Sequence, residues 1–183
     1  MEELHDLREI YKLKRVYRQN SVEKRKESSA EHSWSCLVLA DYFLSKTDRD
    51  IDRLEVYELL IYHDLVEIDT GDIPLRPGKS RKGKEEMEEK AAEKLEKVLP
   101  EPTGRKFRQL FRQFEAQETI EAKFSKAVDG FDAVLHEADY KEDWEDWTEE
   151  FLREKKEPLF EEFPEISESF EKIVEHFREE GFL

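Results

Sequence analysis

Val56-Tyr57-Glu58-Leu59-Leu60-Ile61-Tyr62-His63-Asp64-Leu65-Val66-Glu67-Ile68-Asp69-Thr70-Gly71-Asp72-Ile73-Pro74 is the stretch on which the reading of this chain turns. Val56, Leu59, Leu60, His63 and Val66 recur at the three- and four-residue spacing of one helix face. Asp50 to Asp52 precede that helix, and Thr70-Gly71 with Pro74 stops it. His63 therefore continues an apolar stripe and is followed at once by a carboxylate. Neighbouring helical side chains stand ~100° apart around the axis, so His63 and Asp64 can reach one ion lying in the groove between them. They cannot saturate it, and further ligands have to come from other helices. Glu67 lies four residues beyond His63 and is expected on the same face. Asp72 follows the helix-stopping glycine and is expected at a loop mouth.

The rest of the chain reads as helix in the same way, with no β-branched run of period two. Leu4, Leu7, Ile10, Tyr11 and Lys14 predict a first helix ending near Arg18, and the polar, basic stretch from Gln19 to Ser29 predicts a loop. Ser28 or Ser29 caps a second helix with His32, Cys36, Leu39, Ala40 and Phe43 inward. Pro77-Gly78 belongs to a loop rich in Lys and Arg, after which Lys84 to Leu99 is a charged helix. Thr103 caps a helix carrying Phe107, Leu110, Phe111 and Phe114. The longest helix is expected from Glu118 to about Tyr140, with Ile120, Phe124, Val128, Phe131 and Leu135 inward, and two more flank Pro158 and Pro164. With no internal repeat and no linker, the economical architecture is all-α, one compact helical bundle over residues 1–183.

Composition narrows the function. Charged residues are 43% and hydrophobic ones 37%, so the surface is densely charged, while the helical register of the apolar residues marks a folded chain. The formal net charge of −16, from 31 basic and 47 acidic residues, argues against a protein that wraps nucleic acid, which needs fields of Lys and Arg. A small anionic substrate needs only a local cation. Cys36 is the single cysteine, which leaves no disulfide framework and no cysteine-type zinc site. No apolar run approaches the ~20 residues that span a bilayer, and the first residues are charged and amphipathic, so the expected location is the cytoplasm.

Three predicted helices thus carry a metal-capable residue on or beside the buried stripe: His32, the His63-Asp64 pair, and Asp129 beside Val128. Asp132 and His136 compete with Asp129 on the same helix, and spacing alone does not choose among them. A lone histidine on an apolar face is usually a hydrogen-bonded core residue. Two imidazoles with two carboxylates suit a borderline divalent ion, whereas Mg²⁺ and Ca²⁺ prefer oxygen cages.

Four blocks in order resemble the HD-domain 5′-deoxynucleotidases, enzymes that remove phosphate from deoxyribonucleoside monophosphates. They are Leu13-Lys14-Arg15-Val16-Tyr17-Arg18; Arg25 to Ser33 with Glu27, Ser28, Glu31 and His32; the run from His63 to Pro74; and Ala122 to Asp129. The resemblance implies an HD-type phosphohydrolase in which one divalent ion, Mn or Co before Zn, Ni, Fe or Mg, is held by His32, His63, Asp64 and Asp129. By the same correspondence Asp129 is selected over Asp132, whose replacement is then expected to leave metal and activity intact. It further implies Glu67 as the acid/base residue beside the attacking water, Asp72 at the sugar hydroxyl and Arg18 at the phosphate, where a guanidinium fork suits phosphate oxygens. Some relatives place a tryptophan next to this arginine. Gln19 and Asn20 stand here instead, which implies weak discrimination between deoxyribose and ribose. A small nucleotide as partner follows, without nucleic acid or membrane, and family likeness implies a homodimer whose interface could include Trp144, Trp147 and Phe151. Two other readings remain: another HD hydrolase, acting on cyclic nucleotides or on nucleoside triphosphates or alarmones through the Arg76–Lys84 loop, and a non-catalytic scaffold clipped by metal. A structural clip has no use for Glu67, Asp72 and Arg18.

Overall fold

The computed structural model describes residues 2–183, so Met1 of the expected domain lies outside the described residues. Helix α1 (Glu2–Asp6) runs into a 3-10 segment, Leu7–Arg15, and the chain then turns extended. Here the first departure from expectation appears. The first helix does not reach Arg18, and Gln19 to Ser29 is no loop: strands β1 (Tyr17–Val22) and β2 (Arg25–Ser28) pair antiparallel with Val22 opposite Arg25. The hairpin has no alternating apolar face to announce it. Polar anchors hold it instead: Asp143 accepts from the Ser21 amide at 2.7 Å and pairs with Lys26 at 3.1 Å, while His136 Nε2 lies 2.7 Å from the Ser21 carbonyl.

Helix α2 (Ser29–Leu44) begins where Ser28 and Glu31 form a reciprocal capping box, which satisfies two amides that the first turn would leave open. Helix α3 (Arg53–Tyr62) starts on the Asp52 cap. It breaks at His63, and the short helix α4 (Glu67–Thr70) follows after a tight turn. Helices α5 (Lys84–Val98), α6 (Thr103–Ala116), α7 (Ile120–His136), α8 (Glu149–Phe160) and α9 (Pro164–Glu180) complete the bundle. Three local expectations change. Thr103 is the first residue of α6 rather than its cap, Pro158 sits inside α8, and α7 equals α9 in length instead of exceeding it.

The fold is mostly helical around α7, which packs against α2, α3, α6, α8 and α9. Its buried face carries Phe124, Ala127, Val128, Phe131 and Val134. Leu135, expected inward, is exposed because Val134 takes the last core position. Phe43, Leu60, Phe160, Phe170 and Phe177 close round this face, and a second cluster joins α4, α5 and α6 through Leu65, Ala92, Leu95 and Phe107. Trp144 is buried against Phe177, with ring centroids 4.5 Å apart, and Trp147 and Phe151 stack behind it. These aromatics cover their own core. Among the described residues, no helix is long and apolar enough to cross a membrane.

The α5–α6 joint depends on one missing side chain. A Cβ on Gly104 would lie 2.3 Å from the Glu96 carbonyl oxygen and 3.0 Å from that of Leu99, both backbone atoms that cannot swing aside. Gly104→Ala is expected to destabilise the protein by about 1–3 kcal/mol, the usual cost of overpacking, read as a lowered thermal or denaturant midpoint.

Candidate metal centre

His32, on the second turn of α2, is wholly buried, and its two ring nitrogens have different partners. Nδ1 lies 2.7 Å from Asp132 Oδ2, and Nε2 lies 3.1 Å from Asp129 Oδ1 and 3.9 Å from Asp64 Oδ2. His63 Nδ1 donates to the Leu60 carbonyl at 2.8 Å. In an uninterrupted helix the Asp64 amide would use that carbonyl, and the chain tightens here into three-residue steps, with Glu67 N bonded to Asp64 O at 3.0 Å. Glu67 lines a cleft together with Asp64 and Asp129. His63 Nε2 is left 3.2 Å from Asp64 Oδ1 and 4.0 Å from Asp129 Oδ1.

His32, His63, Asp64 and Asp129 are thus brought together from α2, the α3–α4 turn and α7. The arrangement calls for a cation. With Nδ1–H of each ring engaged, each Nε2 presents a lone pair, and for His32 that lone pair faces a carboxylate oxygen. Buried His63 Nε2 and Asp64 Oδ2 have no hydrogen-bond partner. Burial and the Arg18 charge pull the His32 pKa down, but the Asp129 and Asp132 carboxylates carry it well above its ordinary value. Burial alone would raise Asp129; Lys126, at 3.0 Å, and the two imidazoles hold it well below the usual carboxylate range. A proton can satisfy this gap, and so can a divalent ion held by two imidazoles and two carboxylates. The donor set fits such an ion.

Cys36 was not expected here. Its sulfur joins donor atoms of His32, His63 and Asp129 within 4.8 Å of one another. It stands 3.6 Å and 3.7 Å from the two nitrogens of the His32 ring, and burial pushes the thiol up to about 12, so it is held as a neutral thiol packed on the imidazole. Asp64 is the better fourth donor, because its Oδ2 has no hydrogen-bond partner and lies 3.9 Å from His32 Nε2.

Asp129 and its rivals are separated by their partners. Asp129 faces both imidazoles. Asp132, buried at 3% exposure, backs His32 Nδ1, and His136 turns away to the hairpin. Asp132 is thus placed behind the ring, where a carboxylate on the far nitrogen fixes the tautomer and orientation of a ligating histidine.

The other expected residues border a cleft of about 360 Å³. Arg18 reaches in from β1, with Nη1 3.5 Å from Asp64 Oδ2 and Nε 3.4 Å from buried Glu27. It is on a strand, so a helix-end role does not apply. Burial opposes its charge, while Asp64, Asp72, Asp129 and Glu67 together hold its pKa above the ordinary value. Glu67 is 6% exposed and accepts from Ser29 Oγ at 2.6 Å, and burial pushes its carboxyl up to about 8. Asp72 follows Gly71, whose φ of +71° makes the turn; burial raises its carboxyl too. Gln19 and Asn20 line the cleft beside Arg18. Trp144, Trp147, Leu152, Lys155, Lys156 and Leu159 line it as well. Sequence reading missed Lys126 and Lys156, and gave Asp132 and Ser29 other roles than backing His32 and holding Glu67; only the three-residue step from Asp129 to Asp132 carried a signal.

A family model described as HD domain matches residues 10–167. The 5′-deoxynucleotidases HDDC2 of Bos taurus and Homo sapiens are each 30% identical over 142 residues, which is 76% of this chain and 68% of theirs. The crystal structure of a predicted metal-dependent phosphohydrolase from Magnetospirillum magnetotacticum MS-1 aligns with a TM-score of 0.89 at 29% identity, covering 100% of this chain and 94% of that one. The chain belongs to the HD-domain family. Within that family it is a distant homologue of the 5′-deoxynucleotidases, as the four sequence blocks led one to expect.

Asp132→Asn keeps the size of the side chain and removes its charge. Metal affinity is expected to fall about 10- to 100-fold, as for other outer partners of ligating histidines, with the melting transition retained. Calorimetric titration with Mn²⁺ measures it, and wild-type affinity would return Asp132 to a dispensable role.

Proposed function

We propose that this chain is a metal-dependent phosphohydrolase that releases phosphate from nucleoside 5′-monophosphates, with His32, His63, Asp64 and Asp129 as metal ligands. The observation that carries the reading is the facing of buried, lone-pair-bearing His63 Nε2 and His32 Nε2 onto Asp64 and Asp129, beside a cleft holding both an arginine and a buried glutamate. The 30% identity to 5′-deoxynucleotidases supports the choice of substrate. When bound, a divalent ion would supply Lewis-acid stabilisation of phosphoryl charge and lower the pKa of water.

The chain's own residues do the rest. Arg18 offers a planar fork to two phosphoryl oxygens, with the Glu27 carboxylate 3.4 Å behind its Nε as counter-charge. Water attacks phosphorus as the bond to the nucleoside oxygen breaks on the opposite side. Glu67, with Oε2 fixed by Ser29, manages the proton at its carboxylate and hands one to the departing oxygen. A carboxyl raised to about 8 holds and releases protons near neutral pH, as this requires. Asp72 accepts a hydrogen bond from a free sugar hydroxyl, and Trp144, Trp147 and Leu159 offer an apolar wall to the base. No covalent intermediate is expected: Ser29 is wholly buried, and Cys36 is a buried neutral thiol.

A second reading has an observation of its own. Arg76, Arg81 and Lys84 of the basic loop line the same cleft, where they would suit a longer phosphate chain such as a nucleoside triphosphate.

The test is a matched panel scored by kcat/KM: a deoxynucleoside 5′-monophosphate, its ribose counterpart, the 3′-monophosphate and the 5′-triphosphate. The 5′-monophosphates are expected to lead, with deoxyribose modestly ahead, because a 3′-phosphate would oppose the Asp72 carboxylate. Chelator-stripped protein is expected to be inactive and to regain activity with Mn²⁺ or Co²⁺ better than with Ca²⁺. Full turnover without metal, or faster cleavage of the 3′-monophosphate, refutes the assignment, and a leading triphosphate selects the second reading.

Glu67→Gln preserves the Ser29 contact and removes the titrating group. It is expected to retain metal and lose turnover by about 10²-fold or more. Unchanged turnover with normal metal content would leave Glu67 a buried structural residue.

A further inference from the structure

Helix α8 reaches α7 beside the metal centre because Gly130, next to Asp129, has no side chain. A Cβ there would lie 2.6 Å from Leu159 Cδ1. Three residues earlier on α8, and so on the same face, is Lys156. It is only 9% exposed, lines the cleft, and makes no hydrogen bond or ion pair among the described residues. The other lysine at this end of α7, Lys126, is by contrast tied to Asp129 at 3.0 Å. Its stem is packed away while its ammonium opens only onto the cleft, and long cationic side chains are seldom this deeply buried unless paired. Burial pushes its pKa down to about 8, opposed by the Asp129 charge. The side chain nevertheless stays charged at neutral pH and faces the space that Arg18 faces from the hairpin.

We propose that Lys156 is an anion-binding residue of this cleft, contacting the phosphate of the substrate from α8 while Arg18 contacts it from β1. The inference rests on the reading of the cleft as a phosphate site and adds a second phosphate ligand that the sequence motifs do not contain. The missing partner of Lys156 is then the substrate itself. The ammonium offers three donors, each able to make a charge-assisted hydrogen bond to a phosphoryl oxygen. An empty cleft leaves the cost of its burial uncompensated, and an incoming dianion removes it.

The experiment uses Mn²⁺-loaded protein and inorganic phosphate as the probe, by calorimetry, with Lys156→Met, Lys156→Arg and, as a surface control, Lys172→Met. Loss of one charge-assisted contact is expected to weaken phosphate binding about 10-fold in Lys156→Met. Lys156→Arg is expected to stay within about threefold of wild type, since it keeps the charge. Lys172→Met is expected to match wild type. Metal content should be unchanged in all of them, and the melting temperature of Lys156→Met should hold or rise, because an unpaired buried charge has gone; a merely structural lysine would lower it. No measurable phosphate binding by the wild-type protein, equal affinity in Lys156→Met, or a loss that Lys156→Arg does not restore overturns the proposal. If phosphate binding depends on Lys156 while no nucleotide is hydrolysed, the proposal stands and the nucleotidase reading falls.

Discussion

The contact between wholly buried His32 Nε2 and half-buried Asp129 Oδ1, at 3.1 Å, is the interaction the rest of the structure has to accommodate. Two groups that both present lone pairs repel unless something positive lies between or beside them. The fold keeps them together by fixing each from behind. Asp132 holds the His32 ring by its other nitrogen, Lys126 holds the far oxygen of Asp129, and the Leu60 carbonyl holds His63. Removing a partner from such an arrangement leaves a buried charge uncompensated, which is far more costly than losing an exposed pair. The capping box at Ser28 serves the same end, since it starts α2 at the residue that lets Ser29 meet Glu67 and His32 meet α7.

Much of this was legible before any coordinates. A helix of Leu and Val whose stripe runs into His-Asp and then into Gly and Pro marks a helix end with metal-capable groups, the four blocks in order gave it a function, and the bundle follows from the same period. What the sequence hid has physical reasons. The hairpin of Tyr17–Ser28 is polar on both faces and is held by long-range bonds to Asp143 and His136, so neither period nor turn residues revealed it. The break between α3 and α4 at His63 comes with a side-chain bond from that residue to the Leu60 carbonyl, which no spacing rule contains. Asp132 was visible as a rival ligand, but its role belongs to the nitrogen it faces, and only tertiary geometry distinguishes the two sides of an imidazole. Lys156 carried no signal, because its meaning lies in what it lacks.

The charge distribution resolves an apparent conflict between a chain of net charge −16 and an anionic substrate. The cleft concentrates seven basic side chains against six acidic ones, so its balance is opposite in sign to that of the molecule. Four of the acids, Asp64, Glu67, Asp72 and Asp129, gather where a divalent ion would add positive charge. Lys155 and Lys156 of α8 and the arginines of the Arg76–Arg81 loop stand at its other walls. An acidic exterior slows the approach of a nucleotide at long range, and salt screens that repulsion beyond ~10 Å. Inside the cleft the dielectric is lower and the short-range terms dominate, so recognition rests on a few fixed cations rather than on the field of the whole protein. A site built this way favours a small phosphate ester that can enter fully.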